Sequence, residues 1–445
     1  MITQDQIMEL LKTGITVSTA DQTELVIIGE DLSLTRFAES QIHQNMYRSD
    51  ITLFVRAIKD KKIGIASTGD LSQETVNKTV KHACEIAALM PPDEQFVTLP
   101  SPASAEKVVT FFKDTAEYAP RQRADAVKKI VDKCRKDGLQ AAGAFRTSTE
   151  TVAVLNSLGV EQFNNNTKAE LSMTITGDKD NSGWGIGYSR DAESIDVDTI
   201  ARSAIDKAVH SLNPVALDSG PYTVILEPAA VGQLLLFLAF MGFGGKTLLE
   251  KRSFMAGKIG EQITGTNITI TEDPFNPQMQ GMPFDYEGVP RKRISLIESG
   301  VAKGVVYNSY YAQQAGVEST GHALPPDNSF GPYPKHLVMD GGTSTIGDMI
   351  KSVERGVYIT HFWYINFLNP MKTMVTGTTR DGTFLIENGV LTKPIKNMRL
   401  SQSILEAFSN APMISRERVL YPQYSVVMLA PALKVNNFNL EKTEG

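Results

Sequence analysis

The sequence predicts an α+β protein of two domains. The first alternates helices and strands; the second is β-rich and built around one long buried helix. Three observations lead there. Through residue 212, amphipathic helical stretches alternate with strand-like runs of period-2 apolar residues. Residues 213–222, "NPVALDSGPY", have the Pro, Gly, Ser and Asp content of a linker. Beyond them, apart from an uncharged run at Pro228–Gly245 and two short helices, the chain reads as strand and turn. The expected domains are therefore 1–212 and 223–445.

The elements follow in order. A helix at about 3–13 precedes "ELVIIGED", and two strands are joined at Lys59 to Lys62, with Ile51, Leu53 and Val55 on one face. "SQETVNKTVKHACEIAALM" is an amphipathic helix stopped by Pro91-Pro92. A helix at about 121–137 ends at Gly138, and four short strands follow at 139–147, 150–156, 159–165 and 168–177. "DVDTIARSAIDKAVHSL" closes the first half as a helix, with Asp198 or Thr199 as its cap. In the second half, Leu, Phe, Ala and Met favour a helix over 228–243, opened by Pro228 and stopped by Gly244-Gly245. Short helices are expected near 246–261 and 345–355, the second opened by a Thr345/Asp348 capping box and stopped at Gly356. Asp381-Gly382 and Asn388-Gly389 both carry the type I′ hairpin signal.

With 445 residues, 42% apolar and 21% charged, the chain has an ordinary globular balance. A net charge of −6 and the lack of a long Lys/Arg block argue against a nucleic-acid partner; "RKR" at 291–293 reads as a solvated hairpin tip. Cys84 and Cys134, the two cysteines, fall in amphipathic helical stretches, which excludes a disulfide framework and argues against a cysteine-based metal cluster. The N-terminus has no apolar leader segment, and Pro228, Gly232 and Gln233 make the uncharged run a core helix rather than a membrane span. A cytoplasmic protein without membrane contact is expected. "AFMGFGGKT", residues 239–247, mimics a phosphate loop, but Phe240 stands where the first glycine is needed and the run before it is helical.

No two of the six histidines are three to five residues apart, so no zinc-type pair shares a helix face. His82 and His210 suit solvated helix faces, His43 a strand surface, and His336 the mouth of the strand "LVMD". His322 lies in the long Gly/Pro-rich loop "ESTGHALPPDNSFG", and such loops often carry function. His361 ends the strand "GVYITHFWY" beside Trp363 and Tyr364, a combination suited to peptide contact. His322, His361, Trp363 and Tyr364 are the candidate substrate-binding residues. No nucleophile elbow and no electropositive cysteine is present, so no catalytic set is identified.

Several stretches carry a resemblance together: "TRFAESQIHQN" (35–45), "SLGVEQF" (157–163), "FMAGKIGEQI" (254–263), "GVPRKRISLIESGVAKGVVYNSYYA" (288–312), "GTSTIGDMIKSVERGVYIT" (342–360) and "FLIENGVLTKPIKNMRL" (384–400). In this order they resemble the TldD/PmbA family, known as modulators of DNA gyrase and regarded as peptide-processing metalloproteases. The resemblance implies a His-Glu-x-x-x-His metal motif, which would fall on Leu236 to Met241, here "LFLAFM", and a third ligand, a cysteine, within 420–425, here "LYPQYS". Every ligand position lacks its ligand. The chain therefore resembles the PmbA (TldE) side of the family, which lacks the motif. That implies no cofactor in this chain and zinc in a TldD-like partner subunit. It also implies a hetero-oligomer or a homodimer, and an unfolded peptide taken by strand addition. A second reading stands beside it: an independent homodimeric peptide-binding protein, or a metal-independent hydrolase using residues such as His322 and His361.

Overall fold

The computed structural model describes residues 3–443. The outermost two residues at each end of the expected domains, 1–2 and 444–445, lie outside the described residues. The first half forms a six-stranded antiparallel sheet from β1 (Gln22–Ala38), β2 (Gln41–Lys59), β3 (Lys62–Thr68), β4 (Gln140–Asn156), β5 (Glu161–Thr176) and β6 (Ser182–Ser189), in the order β3-β2-β1-β4-β5-β6. Where four short strands are expected between 139 and 177, two long ones run. Polar residues pair across the ladder through the expected breaks: Arg146 faces Glu170, Ser148 faces Lys168 and Glu150 faces Asn166. The strand β6, "SGWGIGYS", has no counterpart in the expected elements. Its glycines let a helix lie directly on it, since a Cβ at Gly183 would stand 2.0 Å from the Ala204 carbonyl oxygen.

Helices Gln4–Ile15, Gln73–Leu89, Pro120–Lys136 and Val197–His210 cover one face of this sheet in two apolar cores. Cys84 and Cys134 are buried there as free thiols. The last helix is capped by Asp196, two or three residues earlier than Asp198 or Thr199 would set it; its carboxylate accepts from the Thr199 amide at 3.0 Å. The other face follows the opposite residue parity. Val26, Val152 and Val154 pack there against Met282, Phe284 and Tyr286 of the second half.

The second half is one mixed sheet of β7 (Gly220–Leu226), β8 (Ile270–Glu272), β9 (Ile294–Glu298), β10 (Val301–Ala302), β11 (His336–Met339), β12 (Arg355–Asn369), β13 (Met374–Glu387), β14 (Val390–Pro394), β15 (Met398–Ser403), β16 (Met413–Gln423) and β17 (Val426–Lys442). Pairing of β7 with both β12 and β17 closes β17-β15-β13-β12-β7 into a ring. The helix Pro228–Gly242 is buried along its length except at Phe240 and joins the largest apolar core. Its one polar interior residue is used fully: Gln233 accepts from the Phe362 amide at 2.7 Å and donates to the Phe362 carbonyl at 2.9 Å. It thereby satisfies the backbone of an irregular stretch of β12. Among the described residues no helix is long and apolar enough to cross a membrane.

Asn388-Gly389 forms the expected tight turn between β13 and β14, with φ of 52° and 78°. Asp381-Gly382 does not turn the chain. β13 runs through it, with φ of 53° and 118° beside a register shift in β12, because the kink serves to bring Asp381 onto His361. The short helices end early, at Gly245–Leu249 and Ile346–Lys351; the Thr345/Asp348 capping box is present.

Candidate functional site

Between the uncovered face of the first sheet and the second half lies a cleft of about 990 Å³. One wall is a set of alternating residues on the long strands: Glu30 from β1, Arg146, Ser148 and Glu150 from β4, and Asn166, Lys168 and Glu170 from β5. Lys168 donates to Glu150 at 2.8 Å, and Arg146 pairs with Glu170. Burial alone would raise the Glu150 carboxyl, but Lys168, Lys335 and Asn166 bring it down to about 2. Arg190 lies buried at the end of this wall, donating to Asn166 Oδ1 at 2.8 Å and to the Thr167 and Met279 carbonyls at 3.1 Å each.

The facing wall is aromatic. Phe240 leaves the buried helix and packs among Tyr333, Phe330 and Tyr424, at ring-centroid distances of 5.4, 6.0 and 6.4 Å. Phe237, one turn earlier, packs against Phe367 at a ring-centroid distance of 4.8 Å.

Behind the floor sits a closed polar cluster centred on Glu272, fully buried at the end of β8. Its carboxylate accepts from the His336 amide at 2.8 Å and from the Lys335 amide at 3.2 Å, and His322 Nε2 lies 3.3 Å away. Burial opposes the charge of Glu272, but its contacts with His322 and His336 outweigh that and hold the carboxyl well below the usual range. Burial pushes His336 down to about 4 against the pull of Glu272, and its Nδ1 is 3.2 Å from Arg291 Nη1. Arg291 is therefore no solvated tip of "RKR". It is buried against Glu272 and His336, while Lys292 and Arg293 stay exposed and pair with Glu318 and Asp273. Asp285, also buried, accepts from the amides of Glu287, Val289 and Ala323. Burial and the nearby Glu287 charge raise its carboxyl.

The structure separates the four sequence candidates. His322 is wholly enclosed in the Glu272 cluster, because the Asp285 bond to Ala323 and its own bond to Glu272 pull that part of the loop inward. The same loop does reach the cleft further on, through Leu324, Pro325, Asn328 and Phe330. His361 does not end a strand, since β12 continues to Asn369. It is buried with Nε2 3.1 Å from Asp381 and its ring 4.5 Å from Trp184 of β6. Trp363 and Tyr364 are exposed, 52% and 80%, with the Arg380 guanidinium 4.5 Å from the Trp363 ring. Tyr364 takes a left-handed φ of 54° at a register shift, which turns it outward. None of the four is among the cleft-lining residues. The lining charges were missed, although the period-2 series Arg146/Ser148/Glu150 and Asn166/Lys168/Glu170 signals a strand face too polar for a core and too regular for a loop.

Such a cleft, between an open antiparallel sheet and a closed β-ring carrying a buried helix, defines a class that sequence comparison identifies. Family models for PmbA/TldA metallopeptidases match in order: domain 1 on residues 24–87, the central domain on 99–212 and the C-terminal domain on 219–442. The chain belongs to the PmbA/TldD family. Metalloprotease PmbA of Escherichia coli O157:H7 is 24% identical over 404 residues, 86% of this chain and 84% of that one. The metalloprotease TldD homologue of Haemophilus influenzae is 31% identical over 218 residues, 48% of this chain and 45% of that one. The crystal structure of TldE from Thermococcus kodakarensis superimposes with a TM-score of 0.90 at 26% identity, covering 98% of this chain and 99% of that one.

The positions to which the family resemblance assigns metal ligands do not fit a metal ion. Leu236, Phe237 and Met241 are buried and offer neither imidazole nor carboxylate. Segment 420–425 contributes Tyr421 to the core and Tyr424 to the aromatic wall.

Proposed function

We propose that this chain is the metal-free subunit of a two-subunit peptidase, holding an extended peptide in its cleft while a TldD-like, zinc-bearing subunit supplies hydrolysis. One observation carries the reading: a large, polar-walled cleft persists beside a helix whose ligand positions have become packing. Two further features support it. The outer edge of β2 pairs with β3 only from Leu53 to Lys59, so residues 41–52, with Arg48 at the cleft, offer an open edge to an added strand. Trp363, Tyr364, Phe367, Leu368 and Met371 make an exposed apolar strip suited to a partner subunit. His322 and His361 lend no support to a metal-independent hydrolase, since both are buried away from the cleft.

The test is co-expression with a homologue carrying His-Glu-x-x-x-His. The two chains should co-purify, zinc should be found only with the partner, and unfolded peptides should be cleaved only by the pair, with loss on chelation. Cleavage by this chain alone in the presence of chelator, or stoichiometric zinc in it after dialysis, would overturn the reading.

A further inference from the structure

We infer that Lys335, with Arg291 beside it, forms a carboxylate-binding subsite on the cleft floor, taking an anionic group of the ligand while an apolar side chain lies on the Phe240 ring cluster. The choice of a peptide as ligand rests on the function proposed above; the anion subsite does not.

Among the described residues, six cationic side chains line the cleft against three carboxylates, although the whole chain carries a net −6. The three carboxylates are already engaged: Glu150 with Lys168, Glu170 with Arg146 and Glu30 with Arg48. Of the remaining cations, Arg190 is spent on neutral oxygens and Arg291 lies against His336, 4.0 Å from Glu272. Lys335 is left over. Among the described residues its ammonium has no carboxylate within ion-pair distance, and it rests 4.9 Å from the centre of the Tyr286 ring. A half-buried ammonium in a concave, low-dielectric site with excess positive charge attracts an anion.

Its acidity agrees. Burial, then Arg291 and Lys168, push the amine down to about 8, while Glu150 and Glu272 pull it back up. A bound carboxylate would relieve that penalty. The aromatic wall then sets the rest of the ligand. Phe240, Phe330, Tyr333 and Tyr424 line the same cleft and suit an apolar side chain. The carboxylate can come from a peptide C-terminus or from an acidic side chain.

Benzoate, which combines a carboxylate with a ring, is the first probe, titrated calorimetrically into the full chain. Lys335→Met should weaken it by about 10-fold or more, the loss of one charge-assisted contact. Lys335→Arg should retain it, and melting temperatures should show all three proteins folded. Affinity should fall between about pH 7 and about pH 9 as Lys335 loses its proton, with Arg291, Lys168, Glu150, Glu272 and Tyr286 as the neighbouring charged and titratable groups. No benzoate binding, or equal binding by wild type and Lys335→Met, overturns the subsite.

The second probes are acetyl-Val-Thr-Val-Phe as free acid, the same peptide as its amide, and the amide with Glu in place of Thr. Preference for the free acid assigns the anion to a C-terminus, and preference for the Glu amide assigns it to a side chain. Equal binding of all three overturns the carboxylate subsite and leaves the peptide cleft standing. Lys335-dependent benzoate binding without binding of any peptide does the reverse.

Discussion

The two walls of the cleft come from different halves of the chain and solve opposite problems. The strand wall keeps charge at the surface of a sheet by alternation: residues of one parity are buried under helices, and the charged residues of the other parity face the cleft in cross-strand ion pairs. The helix wall has no such freedom. Its helix is enclosed on nearly every side by a closed β-ring, so each position must be apolar or, like Gln233, fully hydrogen-bonded. A family position that elsewhere implies a metal ligand can thus become packing on the helix wall at no cost in surface polarity. On the strand wall, a change of charge stays half-solvated. The difference teaches where function can be lost without unfolding, and where it must be replaced by bulk.

The largest expected effect breaks the helix wall. Phe237→Asp would bury an unpaired carboxylate at a position 8% exposed, against Phe367 and Phe240. A loss of about 4 kcal/mol or more is expected, or failure to fold, read by thermal or denaturant unfolding. An unchanged melting temperature would show that the helix is not enclosed. Charge removal on the strand wall should cost far less, since Arg146 is half-exposed in its pair with Glu170 and such pairs are worth about 1 kcal/mol at most.

A second, smaller effect concerns the cluster between the walls. His336 has an ordinary value of 6.5 and about 4 in the folded protein. A group depressed on folding stabilises above its unfolded value and loses that contribution as pH falls, here from 6.5 through about 4. The Glu272 carboxyl is depressed too and adds in the same direction at the acid end, whereas Asp285, raised on folding, works oppositely. The decisive quantity is therefore a difference: wild type should lose more melting temperature than His336→Gln between about pH 6.5 and about pH 4. Parallel curves would mean that folding does not depress the His336 value.

These comparisons also show what sequence can reveal. The buried helix was legible because its composition leaves one environment, and Asn388-Gly389 because its turn needs two residues at positive φ. Asp381-Gly382 carries the same signal, yet a tertiary bond from Asp381 to His361 makes it a kink within one strand. The absence of ligands at 236–241 could be read directly. The cleft could not, because its lining comes from β1, β4, β5 and loops far apart in sequence, and their meeting depends on register. His322 shows the converse: the loop that its composition singles out reaches the cleft through Leu324, Pro325, Asn328 and Phe330, but its most chemical residue is drawn inward by Glu272.

The smallest effect on stability, and the one that extends the comparison beyond a single chain, is expected at Trp363. A tryptophan enclosed in a core costs roughly 3–5 kcal/mol when truncated. Trp363 is half-exposed, and what it contributes within the chain is chiefly the Arg380 guanidinium over its ring, worth about 0.5–1 kcal/mol at such a site. Trp363→Ala should therefore leave the melting temperature nearly unchanged. Its neighbours Tyr364, Phe367 and Leu368 are exposed as well, so the strip is an apolar surface outside the cleft. If a partner subunit covers it, a central aromatic anchor should be a hot spot, and truncation should weaken association by ~2 kcal/mol, roughly 30-fold. Association measured by sedimentation and peptide turnover by the reconstituted pair should then fall together. A large drop in melting temperature would make Trp363 part of the core; full stability with undiminished pairing and turnover would remove the strip from the interface.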